Sequence, residues 1–253
     1  MSESAFETYI KNINIRELLE SLDVPNIDAL VKEIKHFTLN EAEKRDSIVL
    51  GYFGETAINH IVDSIVDCML SSPRLPANAK VLDVGAGSGF FTLRVMKKLL
   101  CTMPSLSFYA MDLTPAMLQV LARKSSEITL FLGVAENIAG SVEQARKYLA
   151  VPKKFDAAYS TLMLHHSLDP EKVFASMREA LKMRGKAIVI DMCKHFFTEF
   201  REEMGDVHLG FETTSIEEMG KKHFKRVEVE KMPGIRCESS GRAAELFIAY
   251  MLP

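Results

Sequence analysis

Three glycines stand at alternate positions in VLDVGAGSGFF, Val81 to Phe91: Gly85, Gly87 and Gly89. A short apolar run carrying an acid, Asp83, precedes them, and a helical pattern follows. Glycine in such a place permits positive φ and lets the backbone come close to a ligand. The helix start that follows offers free amides and a dipole that favours negative charge. The alternative is a generic tight turn. Asp112 closes the run FYAMD, where a carboxylate can accept both hydroxyls of a ribose; alternatively, it caps the helix beginning near Thr114. Glu136, in GVAEN, is the next acid at a strand end, or simply a first-turn helix acid. Further on, STLMLHHSLDP brings Ser160, Thr161, His165 and His166 close together in the chain. A histidine beside an acceptor atom can serve as general base, since its pKa lies near neutrality. A packing loop histidine is the other reading. The two are adjacent, so they are expected to point apart and at most one to enter a site. Asp191 and His195 are further candidates on the same rim.

These residues need elements to position them. Residues 1–72 read as helical, with apolar residues at three- and four-residue steps in IRELLESL and AINHIVDSIVDCML. Pro25 is expected to separate the first two helices, and Asn40 with Glu43 to form a capping box for a third. SSPRLPANAK, from Ser71 to Lys80, is a connector. Beyond it short apolar runs alternate with helical patterns. KVLDV, LSFYAMD, ITLFLG, the start of FDAAYSTLML, and KAIVIDM read as strands. Thr114 with Pro115, and Asp169 with Pro170, read as N-cap and first position of the intervening helices. HFKRVEVEKM and AELFIAYML add two strands after a helical insert in which Ser215 and Glu218 are read as a cap closed by Gly220. Such alternation means an α/β, doubly wound, mostly parallel sheet with helices on both faces. Ligands then sit beyond the C-terminal strand ends, where every motif above falls.

The spacing G-x-G-x-G departs from the dinucleotide fingerprint, because Phe90 stands where that pattern wants a small residue. D-V-G-A-G-S-G resembles instead the first motif of class I S-adenosylmethionine (SAM) dependent methyltransferases. The resemblance implies a loop of Gly85, Ala86, Gly87 and Gly89 wrapped round the amino-acid end of SAM, with Asp83 organising it through hydrogen bonds. It implies Asp112 on the ribose and Leu113 against one adenine face. GVAEN resembles the family's G-[DN]-A-E, which puts Ala135 and Glu136 at the adenine edge; Val134 replaces the usual polar residue and cannot accept the adenine amino proton. Ser160 would face the methyl group. L-H-H-x-x-D-P resembles small-molecule methyltransferases related to quinone and sterol C-methylating enzymes, and N-P-P-[YFW], the string of enzymes that methylate base or glutamine amines, is absent. The implied fold is a seven-stranded Rossmann-like sheet of order 3-2-1-4-5-7-6 with an N-terminal helical lid. Residues 1–72 would form the lid and 73–253 the SAM-binding domain, with an insert at about 195–222. Tyr52 and Phe53, just ahead of the helix leading into the core, would close over SAM or the acceptor, or pack in the core. The FFTEF aromatics after His195 suggest an apolar acceptor.

The bulk numbers narrow the partners. The chain has 253 residues, 47% hydrophobic and 26% charged, with a formal net charge of -3. No global basic footprint favours nucleic acid. Cys68, Cys101, Cys193 and Cys237 show no metal-ligand or disulfide spacing, so no metal is expected. MSESAFETYIKN lacks the pattern of a secretory leader, and no apolar run approaches the roughly 20 residues of a membrane span. A cytoplasmic enzyme acting on a small-molecule acceptor is the expectation, and the sequence leaves a homodimer open. An NAD(P)-dependent oxidoreductase and a non-catalytic partner of the same fold are the competing readings.

Overall fold

The computed structural model describes residues 5–253, so the first four residues of the expected helical segment lie outside the described part. Four helices come first: α1 (Ala5–Asn12), α2 (Ile15–Ser21), α3 (Ile27–His36) and α4 (Leu39–Leu70). Pro25 therefore lies between the second and third helices, because α1 stands ahead of the IRELLESL pattern. The cap of α4 is also two residues earlier than expected. Thr38 accepts from the Glu41 amide at 3.3 Å, and Glu41 accepts from the Thr38 amide at 2.6 Å. Threonine is an N-cap residue like asparagine, and Asn40 is already inside the first turn.

The remaining elements alternate. They are β1 (Lys80–Val84), α5 (Phe90–Thr102), β2 (Ser107–Asp112), α6 (Pro115–Lys124), β3 (Ile128–Leu132), α7 (Ile138–Ala145), β4 (Phe155–Thr161), α8 (Pro170–Ala180) and β5 (Leu181–Met192). After these come α9 (Glu199–Met204), α10 (Thr213–Lys221), β6 (Arg226–Ser239) and β7 (Arg242–Leu252). Asp169 caps α8 as expected, accepting from the Lys172 amide at 3.1 Å, with Pro170 at the first position. In α10 the expected Ser215 cap does not form; the helix starts earlier, at Thr213. Gly220 lies within that helix, where a Cβ would press on Val227 and Met251, so it serves close packing against the hairpin rather than termination.

The seven strands form one sheet of order β3-β2-β1-β4-β5-β7-β6. β1 to β5 are parallel, and β7 runs antiparallel to both β5 and β6. Right-handed crossovers place α5 and α6 on one face, since they carry the chain from β1 outward to β3. The chain then reverses direction across the sheet, which puts α7 and α8 on the other face. The reversal between β1 and β4 is the switch point, where parallel strands diverge and leave a crevice at their C-terminal ends.

The expected division near residue 72 falls just after α4. The second half of that helix belongs to the core, with Ile58, Ile61, Val62, Ile65 and Met69 buried. Lys186 on β5 fixes its end. The side chain is fully buried, and its ammonium donates to the carbonyls of Cys68, Met69 and Ser71 at 2.8, 2.9 and 2.8 Å. Three donors thus meet three acceptors at a helix C-terminus, where the dipole also favours a cation. Gly54, at φ 67° and ψ 159°, interrupts α4 midway. Lys186→Met would strand those buried carbonyls and should lower stability by about 3 kcal/mol, the scale for leaving buried partners unpaired. Urea unfolding checks this; a loss too small to measure would show that the carbonyls find other donors.

Candidate active site

The glycine loop follows β1 and turns into α5. Gly85, Gly87 and Gly89 all have positive φ, at 74°, 56° and 80°. Packing treats them differently. A Cβ at Gly85 would collide with Met163, and one at Gly89 with Leu121, whereas one at Gly87 would meet nothing within 4 Å. The outer two glycines seat the loop on its neighbours, and the middle one presents bare backbone to open space. The amides of Gly85 and Ala86 donate to the Met111 carbonyl at 2.8 and 3.0 Å.

Asp112 holds the loop from the adjacent strand end. One carboxylate oxygen accepts from the Gly87 amide at 2.8 Å, and the other from the Thr114 amide at 2.8 Å. Burial raises its pKa, opposed by those two amides. An ionised carboxylate has about four acceptor sites, more than the two taken by these amides. Asp83 lies one layer deeper. It is buried, and it accepts from the Thr92 hydroxyl on α5 at 2.7 Å, tying the helix to β1 beneath the loop. Tyr159, its partner across the sheet, brings a buried hydroxyl that is electrostatically coupled to it. Burial pushes the Asp83 carboxyl up to about 7.

At the end of β3, Val134 is buried and its amide donates to Ser141 at 3.0 Å. Leu113 and Ala135 are half-buried. Glu136 reaches across to accept from the Leu168 amide at 3.1 Å, so in this structure it links the β3 and β4 ends. Ser160 and Thr161, at the end of β4, have buried hydroxyls without a hydrogen-bond partner. Buried polar atoms are normally paired, so two orphaned hydroxyls at one strand end stand out.

Beyond β4 the two histidines lie in a short 3-10 turn, Leu164–His166. Their rings stand side by side with centroids 4.0 Å apart, against the expectation that they diverge; neighbours oppose each other in a strand but not in such a tight turn. His165 Nδ1 lies 2.7 Å from Asp191 and its Nε2 3.5 Å from Asp206. Burial, the largest influence on His165, lowers its pKa, but Asp191 and Asp206 together outweigh it and raise the value. Burial, aided by His165, pushes His166 down to about 3. Asp206 is itself buried and pushed up to about 6 by desolvation, and neither carboxylate oxygen makes a hydrogen bond.

His195 is buried on the same rim. Its ring packs on Phe197 and Phe200 at 5.1 and 4.9 Å, and its Nε2 has no partner. Phe196 turns outward, 85% exposed, so only part of FFTEF faces inward. Tyr52 and Phe53 are half-buried in the last turn before the break at Gly54, just ahead of the stretch of α4 that enters the core. Burial raises the Tyr52 pKa, and Arg45, Cys237 and Asp206 act on it electrostatically. Asp46, the next residue after Arg45 on α4, accepts from Ser88 in the glycine loop at 2.5 Å and from Lys124 at 2.7 Å. Asp206, Arg45 and Asp46 escaped sequence reading, because no motif or periodicity marks them; only tertiary proximity does.

A parallel sheet with a reversed seventh strand, and a glycine cradle at the switch point, define the class I methyltransferase architecture. A family model described as "Methyltransferase domain" matches residues 75–232. The chain belongs to that family, and its cofactor class is SAM. It is 30% identical over 126 residues to the biotin biosynthesis bifunctional protein BioHC of Teredinibacter turnerae, an alignment taking in 49% of this chain. The chain matches only 21% of the length of that relative. Among solved structures it resembles phosphoethanolamine N-methyltransferase 2 of Haemonchus contortus in complex with SAM. That match has a TM-score of 0.60 at 17% identity and covers 95% of this chain and 60% of the other. A SAM-dependent methyltransferase of Aquifex aeolicus gives a TM-score of 0.54 at 15% identity, covering 85% of this chain and 100% of the other. At these identities the structures share the fold.

Asp83 carries a pH prediction. Folded, it holds its proton up to about pH 7; unfolded, it releases it near pH 4. The folded state therefore binds more protons between these values, and the contribution of Asp83 to stability falls as pH rises through that window. Asp83→Asn removes the titration but keeps an acceptor for Thr92. Urea unfolding at pH 5 and pH 8 should show the wild-type chain losing stability relative to this variant as pH rises. Parallel pH dependence in the two proteins would contradict the assignment.

Proposed function

We propose that this chain transfers a methyl group from SAM to a small-molecule acceptor held at the C-terminal ends of β4 and β5. The observation that carries the reading is the cradle itself: three left-handed glycines of which the central one, Gly87, faces open space beside a carboxylate with spare acceptor capacity. A cofactor with a bulky polar end and a ribose fits that arrangement. Gly85, Ala86, Gly87 and Gly89 would surround its amino-acid end. Asp112 would accept from the ribose hydroxyls with its remaining lone pairs, and Leu113, Ala135 and Glu136 would border the adenine. Ser160 would offer its unpartnered hydroxyl near the reacting centre. When bound, SAM supplies a methyl group on a sulfonium, a good leaving group for in-line displacement.

The protein's share of such a reaction is alignment and the exclusion of water. The N-terminal helices suit the second task. Tyr9 of α1 is buried and its hydroxyl accepts from the Leu132 amide at the end of β3. Asp46 of α4 binds the glycine loop through Ser88. These contacts support a lid formed by residues 5–54 over the strand ends, which would carry Tyr52 and Phe53 at its inner margin, while the 195–222 insert with His195 would form the opposite wall. His166 is neutral and only weakly basic, and efficient general bases titrate near the working pH. His165 has a carboxylate at each ring nitrogen. The reading therefore needs no obligatory base from this pair.

Calorimetric titration tests it. Binding of SAM and of its demethylated product, with none of NAD(H), is expected. Tight NAD binding without SAM binding would overturn it, and failure to bind either would favour a non-catalytic role. Asp112→Ala should weaken SAM binding by about 1–3 kcal/mol, the scale for hydrogen bonds to a charged group. Unchanged affinity in a folded variant would remove Asp112 from the ribose. Labelled SAM incubated with a metabolite extract would then identify the acceptor.

A further inference from the structure

We infer that His165, His166 and Asp206 form a binding site for a divalent first-row transition metal ion, zinc by its donor set, at the rim of the cradle. One ligand atom from each of the three lies within 4.8 Å of the others. The ring tautomers are set by what surrounds Nδ1. In His165 it faces Asp191 at 2.7 Å, and in His166 the Gly205 carbonyl at 3.3 Å. Both contacts use Nδ1–H as donor, so in the neutral ring, the form that binds a metal, the lone pair is on Nε2.

The two carboxylates around His165 behave differently. Asp191 sits at ordinary hydrogen-bond distance. Asp206 stays at 3.5 Å from Nε2, beyond a good hydrogen bond, and neither of its buried oxygens makes a hydrogen bond. An imidazolium clamped between two acids would draw both into contact. A spacing of about 3.3–3.5 Å is what two ligands need when each stands about 2.0–2.2 Å from one tetrahedral ion. One carboxylate on the far nitrogen of a histidine, orienting it from behind, is the regular companion of a metal-ligating imidazole.

The site is built rather than incidental. Val207 and His208 amides both donate to the His165 carbonyl, at 3.1 and 3.0 Å, so the segment carrying Asp206 is strapped to the histidine turn. Gly205, left-handed at φ 77°, ends α9 and turns Asp206 inward. Two acids balance the ion's charge, while Arg45 of α4 acts electrostatically on His165 and Asp206. Two imidazoles and one carboxylate suit zinc with an open coordination position, and set aside magnesium and calcium, which take oxygen ligands. Met163, two residues before His165, packs on Gly85, so the histidine turn adjoins the glycine loop.

The test uses the full chain, stripped with a chelator that is then removed. Zinc is titrated in competition with a chromophoric chelator, and SAM binding is measured separately on the same sample, which keeps this inference distinct from the proposed function. One equivalent of zinc is expected. Asp206→Asn and His165→Gln should each weaken it at least about tenfold, and Asp191→Asn by roughly 10- to 100-fold, the range for an orienting partner. X-ray absorption at the zinc edge of the unsubstituted chain should show two imidazoles and no sulfur, a readout that survives if a variant fails to fold. Absence of stoichiometric zinc, indifference to Asp206→Asn in a folded variant, or sulfur ligands would each overturn the assignment.

Discussion

The hydrogen bonds accepted by Asp112 are the constraint on which the rest of the site depends. A loop with three residues at positive φ has little reason to hold one shape by itself. The carboxylate fixes it by taking the amide of its central glycine and, with its other oxygen, the first free amide ahead of α6. One side chain thereby joins the end of β1, the end of β2 and the start of the next helix. The packing of Met163 and Leu121 against the outer glycines completes the brace from below. Because the same carboxylate keeps unused acceptor sites, the group that shapes the cradle also offers it a contact for a ligand.

Much of the fold was legible because it rests on local rules. Strand and helix periods, the pairs Thr114–Pro115 and Asp169–Pro170, and the alternating glycines each carry their own physical reason, and the sheet order followed from the family resemblance. Errors arose where two local readings were equally sound. Thr38 with Glu41 and Asn40 with Glu43 both satisfy the capping pattern, and only the packed helix chooses between them. Gly220 looked like a terminator, yet it is required by the distance between α10 and the β6–β7 hairpin. The histidines are expected to point apart because they are adjacent, but in the tight 3-10 turn their rings lie side by side.

The least legible part is the rim beyond β4 and β5. Its chemistry comes from residues far apart in the chain: His165, Asp191 and Asp206 meet only because β5 lies beside β4 and because the 205–208 segment folds back over the histidine turn. Asp206 sits in no motif, and its surroundings are what make it unusual. A carboxylate in water would be ordinary. Buried without a hydrogen bond, it signals that something in the neighbourhood must compensate.

The break at Gly54 gives α4 a further meaning. The helix is anchored behind that residue by Lys186 and the core, and ahead of it runs as an unbroken rod to Thr38. On that rod Asp46 touches the glycine loop, and Tyr52 stands within electrostatic reach of Asp206. Six residues of helix separate them, about 9 Å along the axis. The rod is thus a gauge: the rise of the backbone sets how far Tyr52 lies from the glycine loop, and gaining or losing one residue between Asp46 and Tyr52 would swing Tyr52 by about 100° relative to Asp206.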